Sequence, residues 1–563
     1  MFRPYRIWDS RCDRDFTHVL AEKESSMAHP DPGTRADTVY TVFRQSAENH
    51  PDREFSVHRA SRLSWGTTLT LVDQCARALD RAGVRSGDRV GILSPTRPET
   101  AIVLLACAKI GAIYLGMGTR LRRADMDYLC ADACPSITFA MPDPYLGDRT
   151  DDMVAAATGQ GLSHPILLSF TDDGSISPEF SEFLAGHQEN AERAYDVDQF
   201  DPLAIVYTSG STGDPKGVVL SHRSLLNYRS LLHRWPLTQP RLLSDMPVDH
   251  IGYIGNELTA AILSGGTLVQ VPRFDAREVA DQIERERVTV WMGAIPTMLT
   301  RVVALDDLES RDLSSLELVW WAGQLPESTA RKVATFAHQV GASYGMSEMC
   351  CITLTDPGIS PEQAVRTVGR PLDDIEVKVL PVPGEERSGE FALRRIGMMT
   401  EYWGKPDKTA DAIDRDGWFH TGDLGFIDDD GSLVITGRLK LLIRSGGYNL
   451  SPFEIESVLE GHPGVAMAVV VGLPDPEYGE VAHAAWTAAR DTAVTDDELR
   501  SYLREHLSGF KVPKQFHQIS RIPLLANGKP DRSRIREQLH VSVPGADGRH
   551  VATTPSKETD HAQ

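Results

Sequence analysis

Apolar positions along the chain recur at two spacings in turn. Over residues 69–82, Leu71, Ala76, Leu79 and Ala82 fall near one stripe, which predicts an amphipathic helix. Residues 89–93 predict a short buried strand, 98–110 a helix with Pro98 in its first turn, and 112–115 another strand. The β-branched runs at 203–207 and 217–220 predict two more strands, and Ser221 is placed to cap a helix running through residue 232. Residues 288–292 and 316–320 predict further strands. Strand and helix alternating in this way predict an α/β architecture with parallel sheets.

Near residue 440 the texture changes. Asp428-Asp429-Asp430-Gly431 between the apolar runs 424–427 and 432–436 is a hairpin signal. Beyond it come a helix at 452–459, strands at 466–471 and 482–487, and a helix over 495–507 with Thr495 and Glu498 as a capping box. The expected organisation is a loosely ordered extension over 1–36, a large domain over 37–439, a small α+β domain over 440–540, and a polar, disordered tail over 541–563. Met27 is a candidate start codon. Residues 1–24 are studded with Arg, Asp and Glu and lack the apolar run of a signal peptide. The most apolar stretch, 101–118, is interrupted by Lys109 and Gly111, so it reads as a buried helix followed by a strand. A membrane span needs about 20 apolar residues.

Charge narrows the function. The 563 residues include 58 Lys and Arg against 79 Asp and Glu, a net charge of −21. A chain this acidic lacks the footprint of a nucleic-acid or anionic-membrane binder, so any anionic ligand must be held by local groups. Seven cysteines in such a length make no disulfide framework, which points to the reducing cytoplasm. Cys130 and Cys134 lack a second ligand pair nearby and read as buried thiols, not a zinc site.

Four segments carry candidate chemistry. Tyr207-Thr208-Ser209-Gly210-Ser211-Thr212-Gly213-Asp214-Pro215-Lys216-Gly217 sits between two strands. Its glycines let backbone N–H groups approach phosphate oxygens, its hydroxyls add donors, and Lys216 adds a positive charge. It is not the usual P-loop, because a strand and not a helix follows the lysine. Tyr344-Gly345-Met346-Ser347-Glu348 offers a carboxylate for magnesium and a hydroxyl for phosphate. In Trp418-Phe419-His420-Thr421-Gly422-Asp423, the aspartate just before a hairpin suits two ribose hydroxyls. Arg438 follows fifteen residues on, with Lys440 at the change of texture. The fourth segment is Asn527-Gly528-Lys529-Pro530-Asp531, a lysine on a tight turn. Taken singly, these segments also read as a surface turn, a solvated glutamate, an Asx turn and a solvated lysine.

In this order the four segments resemble the adenylate-forming superfamily of acyl-CoA synthetases, adenylation domains and beetle luciferases. Val368-Gly369-Arg370-Pro371, the stretch from Gly389-Glu390-Phe391 to Tyr402-Trp403, and the stretch from Ser445-Gly446-Gly447-Tyr448-Asn449 to Glu456 add to the likeness, which runs from about residue 40 to about 540. The resemblance implies two α/β subdomains plus a distorted β-barrel, and a small lid that turns about a hinge at Lys440. It also implies ATP, Mg2+ and coenzyme A as reactants.

By motif, Thr208, Ser209, Gly210, Ser211, Thr212, Gly213 and Lys216 would close over the triphosphate. Ser347 would touch the α-phosphate and Glu348 would hold magnesium. Tyr344, Gly345 and Gly323 join the nucleotide set, with Asp423 and Arg438 on the ribose. His250 would gate the acyl carboxylate, its ordinary reading being a satisfied core histidine. Lys529 would stabilise the adenylation transition state, and Gly446 and Gly447 would line a thiol channel.

This chain departs from the family at Ser347 (usually Thr), Arg394-Arg395-Ile396, Glu401 and Leu441, changes expected to touch a turn and the hinge more than the chemistry. Residues 250–256, 291–296 and 320–324 are the expected acyl-pocket walls. Their mixture of aromatics with Gly252, Gly255, Gly293, Ala322 and Gly323 suggests a roomy apolar pocket for a bulky aryl, acyl or polycyclic acid. The resemblance implies an acyl-CoA synthetase, and the segment after the small domain, too short for a fused carrier domain, favours free coenzyme A or a carrier in trans. The alternatives are transfer to a carrier protein in trans or to an amine, a silent nucleotide-binding protein, and a plain ATPase. No nucleic-acid partner and no membrane span are expected, and a homodimer is left open.

Overall fold

The predicted alternation of strand and helix becomes two largely parallel sheets. In the computed structural model the described residues are 37–144, 147–185, 194–208, 215–323, 325–383, 387–445, 448–489, 494–525 and 529–542. The expected extension at 1–36 and tail residues 543–563 lie outside these, as do 209–214, 324, 446–447 and 526–528 of the motifs.

The first sheet has six strands, in the order Ile166–Leu167, Ile137–Ala140, Arg89–Leu93, Ile113–Met117, Pro202–Thr208 and Lys216–Ser221. All neighbours are parallel except the last pair, an antiparallel hairpin in which Thr208 faces Lys216. The helix Pro98–Ile110 is buried on every face, as its unbroken apolar run demands, and Gly111 ends it with a left-handed φ of 77°. Its two charged residues are paired: Glu99 with Arg97 at 3.3 Å, and Lys109 with Asp73 at 2.9 Å, the lysine also lying 5.2 Å from the Tyr40 ring centroid.

The second sheet has nine strands. Six run parallel side by side: Gln339–Met346, Leu318–Ala322, Val290–Ala294, Arg241–Ser244, Thr267–Gln270 and Glu54–His58. Antiparallel strands close both edges. A third sheet, four antiparallel strands from Glu376–Pro381 to Leu433–Arg438, stands where the barrel is expected.

The fourth sheet holds Tyr448–Leu450, Ile443–Ser445, Gly479–Ala488 and Val465–Asp475, with Gln515–Gln518 parallel to the third of these. Its apolar side chains form cores separate from that of the larger sheets. Helix Asp496–His506 starts at the predicted Thr495–Glu498 capping box. The last helix, Arg532–Ser542, is anchored by Arg532, which donates to the buried Glu456 carboxylate and to the Val470 carbonyl at 2.9 Å. Among the described residues no helix is long and apolar enough to cross a membrane.

Three expectations are corrected. The helix capped by Ser221 breaks at Asn227 into His222–Leu226 and Tyr228–Arg234, where the Asn227 amide donates to the Ile396 carbonyl at 2.8 Å. Cys134 is exposed and not buried: it ends helix Arg123–Ala133 in a left-handed conformation, φ 45°, which turns its side chain outward. Asp423 lies inside strand Phe419–Ile427, several residues ahead of the turn.

The two large sheets meet where the chain after Arg241–Ser244 crosses Ile113–Met117. A Cβ on Gly116 would sit 2.2 Å from the Val248 carbonyl oxygen, so only glycine permits this approach. Gly116→Ala should therefore cost about 1–3 kcal/mol, read as a lower thermal unfolding midpoint. An unchanged midpoint would show that the crossing segment yields freely.

Candidate active site

Parallel strands place their carboxyl ends on one edge, and in open α/β sheets that edge forms the ligand crevice. Here it gathers segments far apart in the chain. Arg241–Ser244 leads into His250, Val290–Ala294 into Pro296, Leu318–Ala322 into Gly323, and Gln339–Met346 into Ser347 and Glu348.

Asp423 links this edge to the four-stranded sheet. It faces Arg438 across the Phe419–Ile427/Leu433–Arg438 pair. Its carboxylate, almost wholly buried, accepts from the Arg438 guanidinium and from the Tyr344 hydroxyl. Burial works against the Arg438 charge, but Asp423 outweighs it and raises the pKa. Burial, with Asp423 adding to it, raises the Tyr344 phenol well above its usual range.

Glu348 lies in the turn after Gln339–Met346. Its Oε1 accepts from the Tyr402 hydroxyl at 2.8 Å. Gly345 lets that turn close, since a Cβ there would meet the Cys350 carbonyl oxygen at 2.6 Å. Ser347 is half-buried in the same turn.

Sequence reasoning missed the support beneath it. Arg395, expected only to alter a turn, is buried and donates to the carbonyls of Met349 at 3.0 Å and Cys351 at 2.9 Å, while pairing with Asp374 at 2.5 Å. The one available signal was an arginine standing where a turn glycine is usual.

Lys216 ends the hairpin opposite Thr208, whose hydroxyl faces the Lys216 carbonyl at 3.5 Å. Burial, then the neighbouring Lys440 and Lys408, push the Lys216 pKa down, while Glu348 and Asp411 oppose them. Ser209, Gly210, Ser211, Thr212 and Gly213, between the two strands, lie outside the described residues, as do Gly446 and Gly447.

Lys529, from the small C-terminal unit, faces the same cleft. Its side chain keeps solvent access, yet enough protein surrounds the ammonium for burial to lower its pKa, helped by Arg438 and opposed by Asp423 and Glu348. His250 feels Lys529 in turn: burial first, then that charge, lower the imidazole to about 4. Its Nδ1 accepts from the Gly252 N–H at 2.9 Å, so the neutral ring carries its proton on Nε2. His250, Glu348, Asp423, Arg438 and Lys529 thus form one electrostatic neighbourhood, although the sequence spreads them over nearly 280 positions.

A π-helix, Gly252–Thr259, follows His250. Such helices are rare and are found frequently at functional sites. Glu257, buried within it, accepts from the Ser244 hydroxyl at 2.6 Å and from the Met246 N–H at 3.0 Å, which ties the helix to the start of the His250 segment. Two glycines expected to widen the acyl pocket do not: the space of a Cβ is taken by the Tyr228 ring at Gly255 and by the Asn256 amide at Gly293. Gly323, φ 107°, meets only Pro296 at 3.6 Å and stays open.

The AMP-binding enzyme family matches residues 43–403, and the AMP-binding enzyme C-terminal domain matches 454–529. A feruloyl-CoA synthase of an Amycolatopsis species is 32% identical over 490 residues, 86% of this chain and 95% of that protein. The fatty acid–[acyl-carrier-protein] ligase ScoC of Streptomyces coeruleorubidus is 32% identical over 502 residues, 85% of this chain and 93% of that protein. The crystal structure of ATP-bound MatB from Rhodopseudomonas palustris superposes with a TM-score of 0.79 at 27% identity, over 90% of this chain and 99% of that one. The chain belongs to the AMP-binding enzymes, the adenylate-forming superfamily of acyl-CoA synthetases and related ligases.

Proposed function

We propose that the protein activates a carboxylic acid with ATP to an acyl-AMP, releasing pyrophosphate, and then forms a thioester with coenzyme A. The observation that carries this reading is the convergence of Lys529, Glu348 and the Asp423–Arg438 pair on one cleft, within electrostatic reach of Lys216. Both reactants of the first step are anions, so their repulsion must be offset by local positive charge. Lys216 and the segment 208–213 hold the triphosphate, Ser347 meets the α-phosphate, and Asp423 with Arg438 orients the ribose beside Tyr344, Gly345 and Gly323. Neutral His250 flanks the acyl carboxylate without adding charge.

Glu348 would hold the magnesium ion that accompanies ATP. Among the described residues no three His, Cys, Asp or Glu side chains gather as a cage. A single carboxylate such as Glu348 suits magnesium, which is held by one or two carboxylates together with phosphate oxygens. Lys529 stabilises the charge that develops as the acid attacks the α-phosphorus. The acyl-AMP is an anhydride that water destroys, so closure of the small domain over it protects it. Turning of the 440–540 unit about Lys440 then withdraws Lys529 and brings Gly446 and Gly447 to the acyl carbon for attack by the thiol.

A bulky aryl, acyl or polycyclic acid is the proposed substrate, and similarity to a feruloyl-CoA synthase supports it. Transfer to a carrier protein is the second reading, favoured by the likeness to ScoC. The compartment in this reading is the cytoplasm. Pyrophosphate exchange with a panel of carboxylic acids tests the first half-reaction, and mass spectrometry after addition of coenzyme A tests the acceptor. Exchange with none of the acids would overturn the proposal.

Lys529→Ala should slow acyl-AMP formation by about 10²-fold or more and leave thioester formation from supplied acyl-AMP much less affected. Single-turnover measurement of each half-reaction checks this, and equal loss in both would refute the alternation.

Adenylation needs Lys529 as its ammonium, which is present at low pH and lost as pH rises through its folded pKa. That pKa is depressed, so the alkaline limb of kcat/KM should begin below the ordinary lysine value of about 10.4. Lys529→Arg, which stays charged, should move the limb upward. His250, held at about 4, is neutral above about pH 5 and should add no limb at neutral pH.

A further inference from the structure

Tyr402 stands between two groups of opposite charge. Its hydroxyl donates to Glu348 Oε1 at 2.8 Å, and its ring lies under the Lys216 ammonium, 4.5 Å from Nζ to the ring centroid. The Glu348 charge is felt at Lys216, so the two sit close enough to attract. Without something between them, a lysine and a glutamate this near would pair and neutralise each other. Each would then be spoiled for the partner it needs, phosphate for the one and magnesium for the other.

The ring cannot easily leave. Tyr402 is buried, and residues 400–403 lie along the outer edge of strand Lys216–Ser221. There the Thr400 N–H donates to the Val219 carbonyl at 2.9 Å, the Val219 N–H to Glu401 at 3.0 Å, and the Trp403 N–H to Gly217 at 2.7 Å. The Tyr402 N–H is also held, by the Thr409 hydroxyl at 3.0 Å.

The next residues brace the same hairpin through helix Arg123–Ala133. Lys405 Nζ donates to the Tyr128 hydroxyl at 2.6 Å, and that hydroxyl donates to the Pro215 carbonyl at 2.9 Å. Tyr207, on the other strand, donates to Asp132 at 2.5 Å, and the Trp403 indole to the Asp132 carbonyl at 3.1 Å. Both strands of the hairpin that carries Lys216 are therefore fixed to one helix, and the Tyr402 ring is fixed relative to them.

We infer that Tyr402 is a positioning residue, a spacer whose ring face holds the Lys216 ammonium and whose hydroxyl holds the Glu348 carboxylate, so that the two charges stay apart until MgATP arrives. This rests on the reading above, in which Lys216 serves the triphosphate and Glu348 the metal.

The test measures ATP binding in EDTA by calorimetry, where the metal plays no part. Tyr402→Met, which fills the space without an aromatic face, should weaken metal-free ATP binding roughly tenfold, a size that partly buried cation–ring contacts support, because Glu348 captures Lys216. Adding Glu348→Gln to that variant should restore affinity to within about threefold of the single Glu348→Gln protein, the signature of coupling between the two sites. Tyr402→Phe keeps the ring face on Lys216 but releases Glu348, and should weaken metal-free ATP binding by less than Tyr402→Met does.

A general packing defect would not be repaired by a substitution at Glu348. A Tyr402→Met protein that binds ATP normally, or one whose weakness Glu348→Gln leaves in place, overturns the spacer. If the unaltered protein shows neither ATP binding nor acid-dependent pyrophosphate exchange, the adenylation reading falls and takes this one with it. Intact exchange without the coupling removes the spacer alone.

Discussion

A buried carboxylate must be fully supplied with donors or it costs several kilocalories per mole, and Asp423 meets that requirement across a layer boundary. Arg438 comes from the neighbouring strand of its own four-stranded sheet, while Tyr344 comes from strand Gln339–Met346 of the nine-stranded sheet. Satisfying one side chain therefore locks two layers in register. Arg438 and Tyr344 take their positions from that lock. The antiparallel register sets Asp423 opposite Arg438, and a slip of either strand by one residue would turn its member of the pair to the other face.

Most of the fold was legible because its signals are local. The helix Pro98–Ile110 follows from an unbroken apolar run closed by glycine, and the helix after Thr495 from its capping box. The order of the four motifs was enough to suggest the family. What could not be read is set by partners distant in sequence. Arg395 looked like a damaged turn because its acceptors, Met349 and Cys351, lie more than forty positions away. Gly255 and Gly293 looked like room for a substrate, yet Tyr228 and Asn256 fill it, and nothing local announces which side chain will claim the space of a missing Cβ. The π-helix after His250 leaves no periodic mark in so short a segment.

The electrostatics of the cleft run against those of the chain. A net charge of −21 repels anionic reactants at long range. Screening confines that repulsion to about 8 Å at physiological ionic strength, so it bears on encounter more than on what happens inside. Within the cleft Lys216, Lys440, Arg438 and Lys529 stand among the carboxylates of Glu348 and Asp423, and burial above all, then the neighbouring cations, pushes the Lys216 and Lys529 pKa values down. These cations come from the hairpin that carries Lys216, from the end of the four-stranded sheet and the turn after it, and from the small C-terminal unit, so no single motif accounts for them.

The anchoring of the last helix has a mechanical meaning. Arg532 is clamped to Glu456 and Val470, and the backbone around Lys529 is stitched by Leu525 N–H to the Lys529 carbonyl at 2.8 Å and by Asp531 N–H to Pro523 at 2.9 Å. The lysine therefore rides on a stiff arm three residues from its clamp. A displacement of the C-terminal unit carries the backbone of Lys529 with it, so a substitution deep in that unit, remote from the cleft, bears on where the ammonium stands.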